Sequence, residues 1–241
     1  MRVEIKRYTS EPEIKEAVLS YEVDLQNPIL LELLNHIKTT QDSSLSFSSG
    51  CRSSVCGSCS MRVNGKEVLA CAYKVQDGVL IEPLKNAPVV RDLIVAMDGA
   101  YETTAKAKAY LQAEQNGVAL SPEDEKRNEL QSDCIMCGSC YSACPVYAVN
   151  GEFLGPFALT RVWRYVSDKR EEGSQEKIST IQTNGVWDCT LCNECTLVCP
   201  QEISSKADIE KLRATSAQYG FMDPNFGNFG GDFGFDGSPS F

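Results

Sequence analysis

Twelve of the 241 residues are cysteine, and they fall into three groups of four: Cys51, Cys56, Cys59 and Cys71; Cys134, Cys137, Cys140 and Cys144; Cys189, Cys192, Cys195 and Cys199. Spacings of two or three residues bring several thiolates to one centre from a single loop or helical turn. Cysteines so close in sequence rarely reach the strict geometry of a disulfide. The segment Met1–Lys6 alternates charge with aliphatics and holds no apolar signal core. A disulfide framework is therefore not expected, and metal binding is the leading reading. Structural zinc is the bland alternative, because C-x2-C pairs are also its spacing.

The detailed spacings separate the two. Cys51, Cys56, Cys59 and Cys71 read C-x4-C-x2-C with a later fourth cysteine, the plant-type [2Fe–2S] pattern, which fits paired zinc knuckles poorly. Gly57 and Ser58 lie between ligands, where small residues let backbone N–H groups approach the sulfurs and tune the potential. The second group reads C-x2-C-x2-C-x3-C-P up to Pro145, and the third repeats it up to Pro200. This is the bacterial ferredoxin run, in which three cysteines hold one cluster and the last is lent to the other. The expected sets are Cys134, Cys137, Cys140 and Cys199 for one [4Fe–4S] cluster, and Cys144, Cys189, Cys192 and Cys195 for the other.

Two kinds of element must position them. In residues 1–98, Val3 and Ile5 alternate with charges, and Leu19, Tyr21, Val23 and Leu25 alternate again, which is strand period. Asn27-Pro28 predicts a helix with Pro at its first position and an apolar face of Ile29, Leu30, Leu33, Leu34 and Ile37. Asn64-Gly65 between Met61–Val63 and Lys66–Leu69 is a hairpin signal, and Val79-Leu80-Ile81 reads as one more strand. Residues 99–220 turn helical. Ala105–Gln115 is rich in good helix formers, Ser121-Pro122-Glu123-Asp124 is a helix start, and Phe157–Lys169 and Ile203–Ala214 are further helices. The expectation is α+β: a plant-type ferredoxin (β-grasp) domain, then an all-α two-cluster ferredoxin domain. Residues 221–241 hold six of the nine phenylalanines and five glycines, a tail expected to be disordered in isolation.

Lys plus Arg number 23 against 33 Asp plus Glu, a net charge of −10, which argues against a nucleic-acid partner. No apolar run approaches the 18 or more residues of a membrane span. The one histidine, His36, falls on a predicted leucine-faced helix and reads as structural. No substrate site of the chain's own is expected, and no residue is assigned a catalytic role.

Three stretches carry a specific resemblance. Cys51-Arg52-Ser53-Ser54-Val55-Cys56-Gly57-Ser58-Cys59 leads to Asn64-Gly65 and Leu69-Ala70-Cys71; Pro88-Val89-Val90-Arg91-Asp92-Leu93 lies between the domains; Asn150-Gly151, Leu154-Gly155-Pro156 and Arg164-Tyr165 follow Cys144-Pro145. Over residues 1–215 the sequence resembles the iron–sulfur subunit of the succinate dehydrogenase/fumarate reductase family. The resemblance implies an electron-transfer subunit of succinate:quinone or quinol:fumarate oxidoreductase. Such a subunit relays electrons between the FAD of a flavoprotein partner and a membrane quinone. It implies a peripheral place on the cytoplasmic membrane, by default on the cytoplasmic face, or on the periplasmic face if a partner with a twin-arginine signal carries the chain out.

The sequence departs from the family in two places. Most members have no cysteine where this chain has Cys192, and their third centre is [3Fe–4S], on the ligands that match Cys144, Cys189 and Cys195. With Cys192 the set is complete and [4Fe–4S] is favoured; without it the centre would be [3Fe–4S] beside a free thiol. A fourth cysteine resembles the branch that works with a cysteine-rich membrane-associated subunit, a methylmenaquinol:fumarate reductase among them, in place of a membrane anchor alone. Ala148-Val149 stands where many members have Trp-Trp, and Thr190 where a histidine is usual, so the quinone is expected to be reached indirectly. The competing readings are an iron–sulfur subunit of another flavin-linked oxidoreductase, of glycolate oxidase or heterodisulfide reductase type, and a zinc scaffold.

Overall fold

The computed structural model describes residues 1–8, 16–113 and 117–224. Strands β1 (Arg2–Arg7) and β2 (Ala17–Glu22) are followed by helix α1 (Leu30–Thr40). The chain then forms β3 (Ser60–Val63), β4 (Lys66–Leu69) and β5 (Val79–Glu82). The five strands make one mixed sheet in the order β2-β1-β5-β3-β4. β1 runs parallel to β5, with Val3 beside Val79 and Ile5 beside Ile81, and the other pairings are antiparallel. Val3, Ile5, Val79 and Ile81 close against Leu30, Leu33, Leu34 and Ile37 of α1 in one core. Each aliphatic buried to this extent stabilises by about 1.5–3 kcal/mol relative to exposure. The β3–β4 turn is Asn64-Gly65 with φ of 47° and 80°, both in the left-handed region that a two-residue hairpin needs.

Two expectations in this unit are corrected. Pro28 does not open the helix: Ile29 is extended and bridges to Lys74, and α1 begins at Leu30. Its first amides are taken by the chain that follows the cysteine loop, Leu30 N–H by Tyr73 O and Leu31 N–H by Ala70 O, and Ile29 is left 39 % exposed. Leu19 does not turn inward, because the core closes over Tyr21 and Val23 and stops short of this part of the edge strand.

A short ribbon, β6 (Val89–Arg91) and β7 (Ile94–Val95), leads into the helices. These are α2 (Asp98–Lys106), α3 (Pro122–Lys126), α4 (Glu129–Ser132), α5 (Ser139–Ser142), α6 (Pro145–Val149), α7 (Gly155–Val166), α8 (Ser174–Thr180), α9 (Glu194–Leu197) and α10 (Ser205–Gln218). α7 packs on α10, and Leu159, Val162, Ile178, Ile181, Ile209 and Leu212 form the second core. The helix start expected at Ser121 is found, and Ser121 caps α3 in a capping box with Asp124.

The helix expected over Ala105–Gln115 lies elsewhere. α2 ends at Lys106 and Lys108 takes φ 51°, which turns the chain so that Ala107 and Ala109 enter the second core; tertiary packing overrides propensity. Beyond it, Gln112 is held at both backbone ends, donating to Glu171 Oε2 and accepting from Glu172 N–H. The fully buried Lys177 donates to Gln112 Oε1 and Glu171 Oε1. Of the Gly/Phe-rich tail, Phe221 packs against the second core, and the reading of residues 225–241 lies outside the described residues. Among the described residues no helix is long and apolar enough to cross a membrane.

Candidate metal centres

The first four cysteines sit on a loop between α1 and β3 and at the end of β4. Cys51 and Cys56 are exposed, Cys71 is half-buried and Cys59 is buried. Arg52, Ser54 and Gly57 take φ of 60°, 63° and 70°, a run of left-handed residues that turns backbone amides toward the sulfurs. Ser53 N–H and Val55 N–H donate to Cys51 Sγ at 3.3 and 3.4 Å, and Cys51 N–H to Cys56 Sγ at 3.4 Å. Ser58 Oγ lies 3.1 Å from Cys56 Sγ and Ser54 Oγ 3.6 Å from Cys71 Sγ. The Ser53 amide, then its hydroxyl and Val55 N–H, draw the Cys51 thiol down to about 6. Burial pushes Cys59 up to about 11. A Cβ on Gly50 would stand 3.0 Å from both Cys56 Sγ and Ser58 Oγ, so the space beside these sulfurs is open because residue 50 has no side chain.

The second and third groups adopt one local structure twice. Met136 and Leu191 have φ 53° and 56°, Gly138 and Asn193 φ 81° and 73°, and each pair precedes a short helix, α5 or α9. Leu191 N–H donates to Cys189 Sγ at 3.4 Å, and Met136 N–H plays the same part toward Cys134. Cys134, Cys137, Cys140 and Cys199 line one cavity together with Phe157 and Thr160. Burial pushes the Cys140 thiol far up, and the neighbouring charges of Cys137, Cys134, Cys195 and Cys199 act in the same direction. Burial likewise raises Cys195 to about 12, reinforced by Cys189, Cys144 and Cys192. Burial raises Cys144 too, and there Tyr147 N–H, 3.4 Å from its Sγ, opposes the rise. Cys192 is exposed at the edge of this last set.

The groups meet across the two units. A Cβ on Gly57 would fall 2.7 Å from Ile135 O and 2.8 Å from Cys137 Cβ, so the two cysteine loops touch through a missing side chain. Gln201, just past Cys199-Pro200, donates to Ser54 O of the first loop at 3.2 Å. Asn86 Nδ2 donates to the carbonyls of Tyr141, Ser142 and Cys144, tying the linker to the end of the second run. Arg213 of α10 does the same for the third run, donating to the carbonyls of Val186 and Cys189 while its guanidinium lies 5.4 Å from the Trp187 ring centroid. Asn86, Gln201 and Arg213 carry no local sequence signal, since their partners lie 24 to 147 residues away.

Among the described residues no three cysteine, histidine or carboxylate side chains are drawn together tightly enough for a single ion. A zinc ion holds its sulfurs about 2.3 Å away, whereas a cluster of several irons spreads its thiolates over a wider cage. The donors are thiols only, fed by backbone N–H groups, and one set lines a cavity closed by Phe157, which suits iron–sulfur ligation.

A family model described as a 2Fe-2S iron–sulfur cluster binding domain matches residues 2–102, and one described as a 4Fe-4S dicluster domain matches residues 130–203. The fumarate reductase iron–sulfur subunit of Haemophilus influenzae is 36 % identical over 90 % of this chain and 93 % of its own. The 8-methylmenaquinol:fumarate reductase iron–sulfur subunit of Wolinella succinogenes is 34 % identical over 91 % of this chain and 74 % of its own. A chain of the Mycobacterium smegmatis Sdh1 complex has the same fold, with TM-score 0.78 and 23 % identity over 90 % of this chain and 95 % of that one. The cysteine pattern, the two-unit fold and these likenesses agree: the chain belongs to the family of iron–sulfur subunits of fumarate reductases and succinate dehydrogenases.

Proposed function

We propose that the chain is the electron relay between the FAD of a flavoprotein subunit and a membrane quinone pool, with three clusters in series. The observation that carries this is the contact of Gly57 with Cys137, which makes the first cysteine loop and the second neighbours. In this reading Cys51, Cys56, Cys59 and Cys71 hold [2Fe–2S], and Cys134, Cys137, Cys140 and Cys199 hold [4Fe–4S]. Cys144, Cys189, Cys192 and Cys195 hold the third cluster. The clusters, when bound, supply one-electron chemistry, and the protein supplies their ligands, spacing and hydrogen bonds. Residues 1–98 and 99–220 act as the two cluster-bearing domains.

The third cluster is [4Fe–4S] in this proposal, because Cys192 completes the C-x2-C-x2-C-x3-C-P run that the second group also has. That favours the branch with a cysteine-rich membrane-associated subunit. Val149 and Leu197, beside the third set in sequence, are 87 % and 72 % exposed, and they supply apolar surface for such a partner. The complex lies peripherally on the membrane.

The test is an EPR spectrum of the anaerobically purified native complex before and after succinate. The expected result is no [3Fe–4S] signal when oxidised and cluster signals that appear on reduction, with loss of the third cluster alone in Cys192→Ser. A [3Fe–4S] signal in the oxidised wild type removes Cys192 from the ligand set. A colourless, EPR-silent protein would sink the relay itself.

A further inference from the structure

Behind the cavity lined by Cys134, Cys137, Cys140 and Cys199 lies a buried carboxylate that no electron relay requires. Asp208, on α10, is 1 % exposed. Its Oδ1 accepts from Gln131 Nε2 of α4 at 2.8 Å, and its Oδ2 has no well-aligned hydrogen-bond partner among the described residues. Thr160 of α7, 2 % exposed, lies against the same carboxylate and lines the cysteine cavity, yet its Oγ1 is also without a well-aligned partner. Ser205, one turn earlier on α10, lines that cavity too. Asp208 and the cysteine set are thus separated by one layer of side chains.

Resting on the ligand set proposed above, we propose that Asp208 takes up a proton when the cluster held by Cys134, Cys137, Cys140 and Cys199 gains an electron. One electron enters the site from the relay and one proton comes from solvent. An O–H bond forms at Oδ2, no bond breaks in the chain, and the net charge of the buried region is unchanged. The new hydroxyl can donate to Thr160 Oγ1, reversing the donation that the Thr160 hydroxyl offers the ionised carboxylate.

The surroundings allow this. The groups facing the carboxylate are Gln131, Thr160 and Lys211, whose Nζ is 3.7 Å from Oδ1 and whose side chain is half exposed. The other charged side chains on the packed elements are engaged or exposed. On α7, Arg161 stacks against Phe157 and Tyr165 and Arg164 donates to Ser132. On α8, Lys177 pairs with Glu171 and Glu176 with Lys108. Glu194 of α9 and Glu129 of α4 are exposed, and Lys206 and Glu210 pair with each other on α10. Burial lifts Asp208 to about 6, against the opposing pull of Lys211, Gln131 and Thr160. An added negative charge nearby raises it further.

The experiment is an EPR-monitored redox titration of the intact complex at a series of pH values on both sides of 6. In the wild type the potential of this cluster should fall as pH rises, approaching 59 mV for each tenfold change in proton activity. Asp208→Asn, which keeps an acceptor for Gln131, should abolish the slope, fix the potential near the wild type's acid limit and leave the other two clusters unmoved. Lys211→Gln, an exposed change that does not depend on how the buried variant folds, should move the sloping region to higher pH. A flat wild-type profile, or a slope kept in Asp208→Asn, would overturn the inference while leaving the relay intact. Absence of a reduced [4Fe–4S] signal would overturn the relay first.

Discussion

In the sheet unit Arg7 makes five hydrogen bonds, to Asp92, Asp42, Tyr21 and Ser44, and pins β1 to the linker and to the turn after α1. Among the described residues of the helical unit, Thr160, Arg161, Trp163 and Asp208 each keep a buried polar atom without a hydrogen-bond partner; in the sheet unit Arg62 Nε does so, 3.5 Å from Glu67. The cysteines divide the same way. Cys51 and Cys56 stand on the surface of the sheet unit and only Cys59 of the first four enters its core, whereas in the helical unit Cys144 and Cys195 are buried, Cys144 within the core, and only Cys192 is exposed. The sheet unit is closed by its own side chains, whereas the helical unit, in the proposed function, depends for its closure on the clusters.

The widest test of that contrast is removal of iron. Chelation under reducing conditions should cost most of the helical circular dichroism and open residues beyond about 99 to proteolysis, with the sheet unit still resistant. Equal loss in both units would break the comparison. Next in size is Gly57→Ala. The left-handed backbone and the contact with Ile135 and Cys137 together should cost about 2–4 kcal/mol in thermal unfolding. The sharpening control is Gly78→Ala, which meets nothing within 4 Å and carries only the backbone strain of φ 74°.

Tyr141→Phe comes third. The Tyr141 hydroxyl donates to Leu154 O at 2.6 Å and lies 2.7 Å from Thr103 Oγ1, fully inside the helical unit. Leaving those groups unpaired should cost about 1–3 kcal/mol in denaturant unfolding, without moving the [2Fe–2S] signal. The smallest effects are in pH dependence, and they have opposite signs. Asp42 is held well below the carboxylate range by Ser44, with Tyr21 and Arg7 assisting against burial. Its stabilisation is complete above an unfolded pKa of about 3.9 and is lost as pH falls through the lower folded value. Asp208, raised by burial to about 6, contributes fully below about 3.9 and loses its contribution as pH rises through 6. Unfolding midpoints against pH should flatten at the acid end in Asp42→Asn and on the approach to neutrality in Asp208→Asn.

What the sequence reveals is whatever is encoded locally. The Asn64-Gly65 hairpin and the Ser121 helix start each sit within a few residues, and each is recovered in the fold; the three cysteine patterns are as local, spanning 11 to 21 residues. The errors come where distant chain decides. Ile29 is pulled into an extended bridge by Lys74, and Ala107 and Ala109 are drawn into a core assembled from residues up to Leu212. The clamps Asn86 and Arg213 and the buried Asp208 look like ordinary polar residues until their partners arrive from other elements. The left-handed Met136 and Leu191 have side chains that usually avoid that region, so composition hides the turn they share.

Electron tunnelling slows exponentially with the gap between donor and acceptor. Where Gly57 lies on Cys137, the gap between the first two centres is set by backbone against backbone, with no side chain to fold away or swing aside. In the proposed relay, residue 57 therefore acts as a spacer of zero length: any parting of the two units at that seam would lengthen the step between the first two centres.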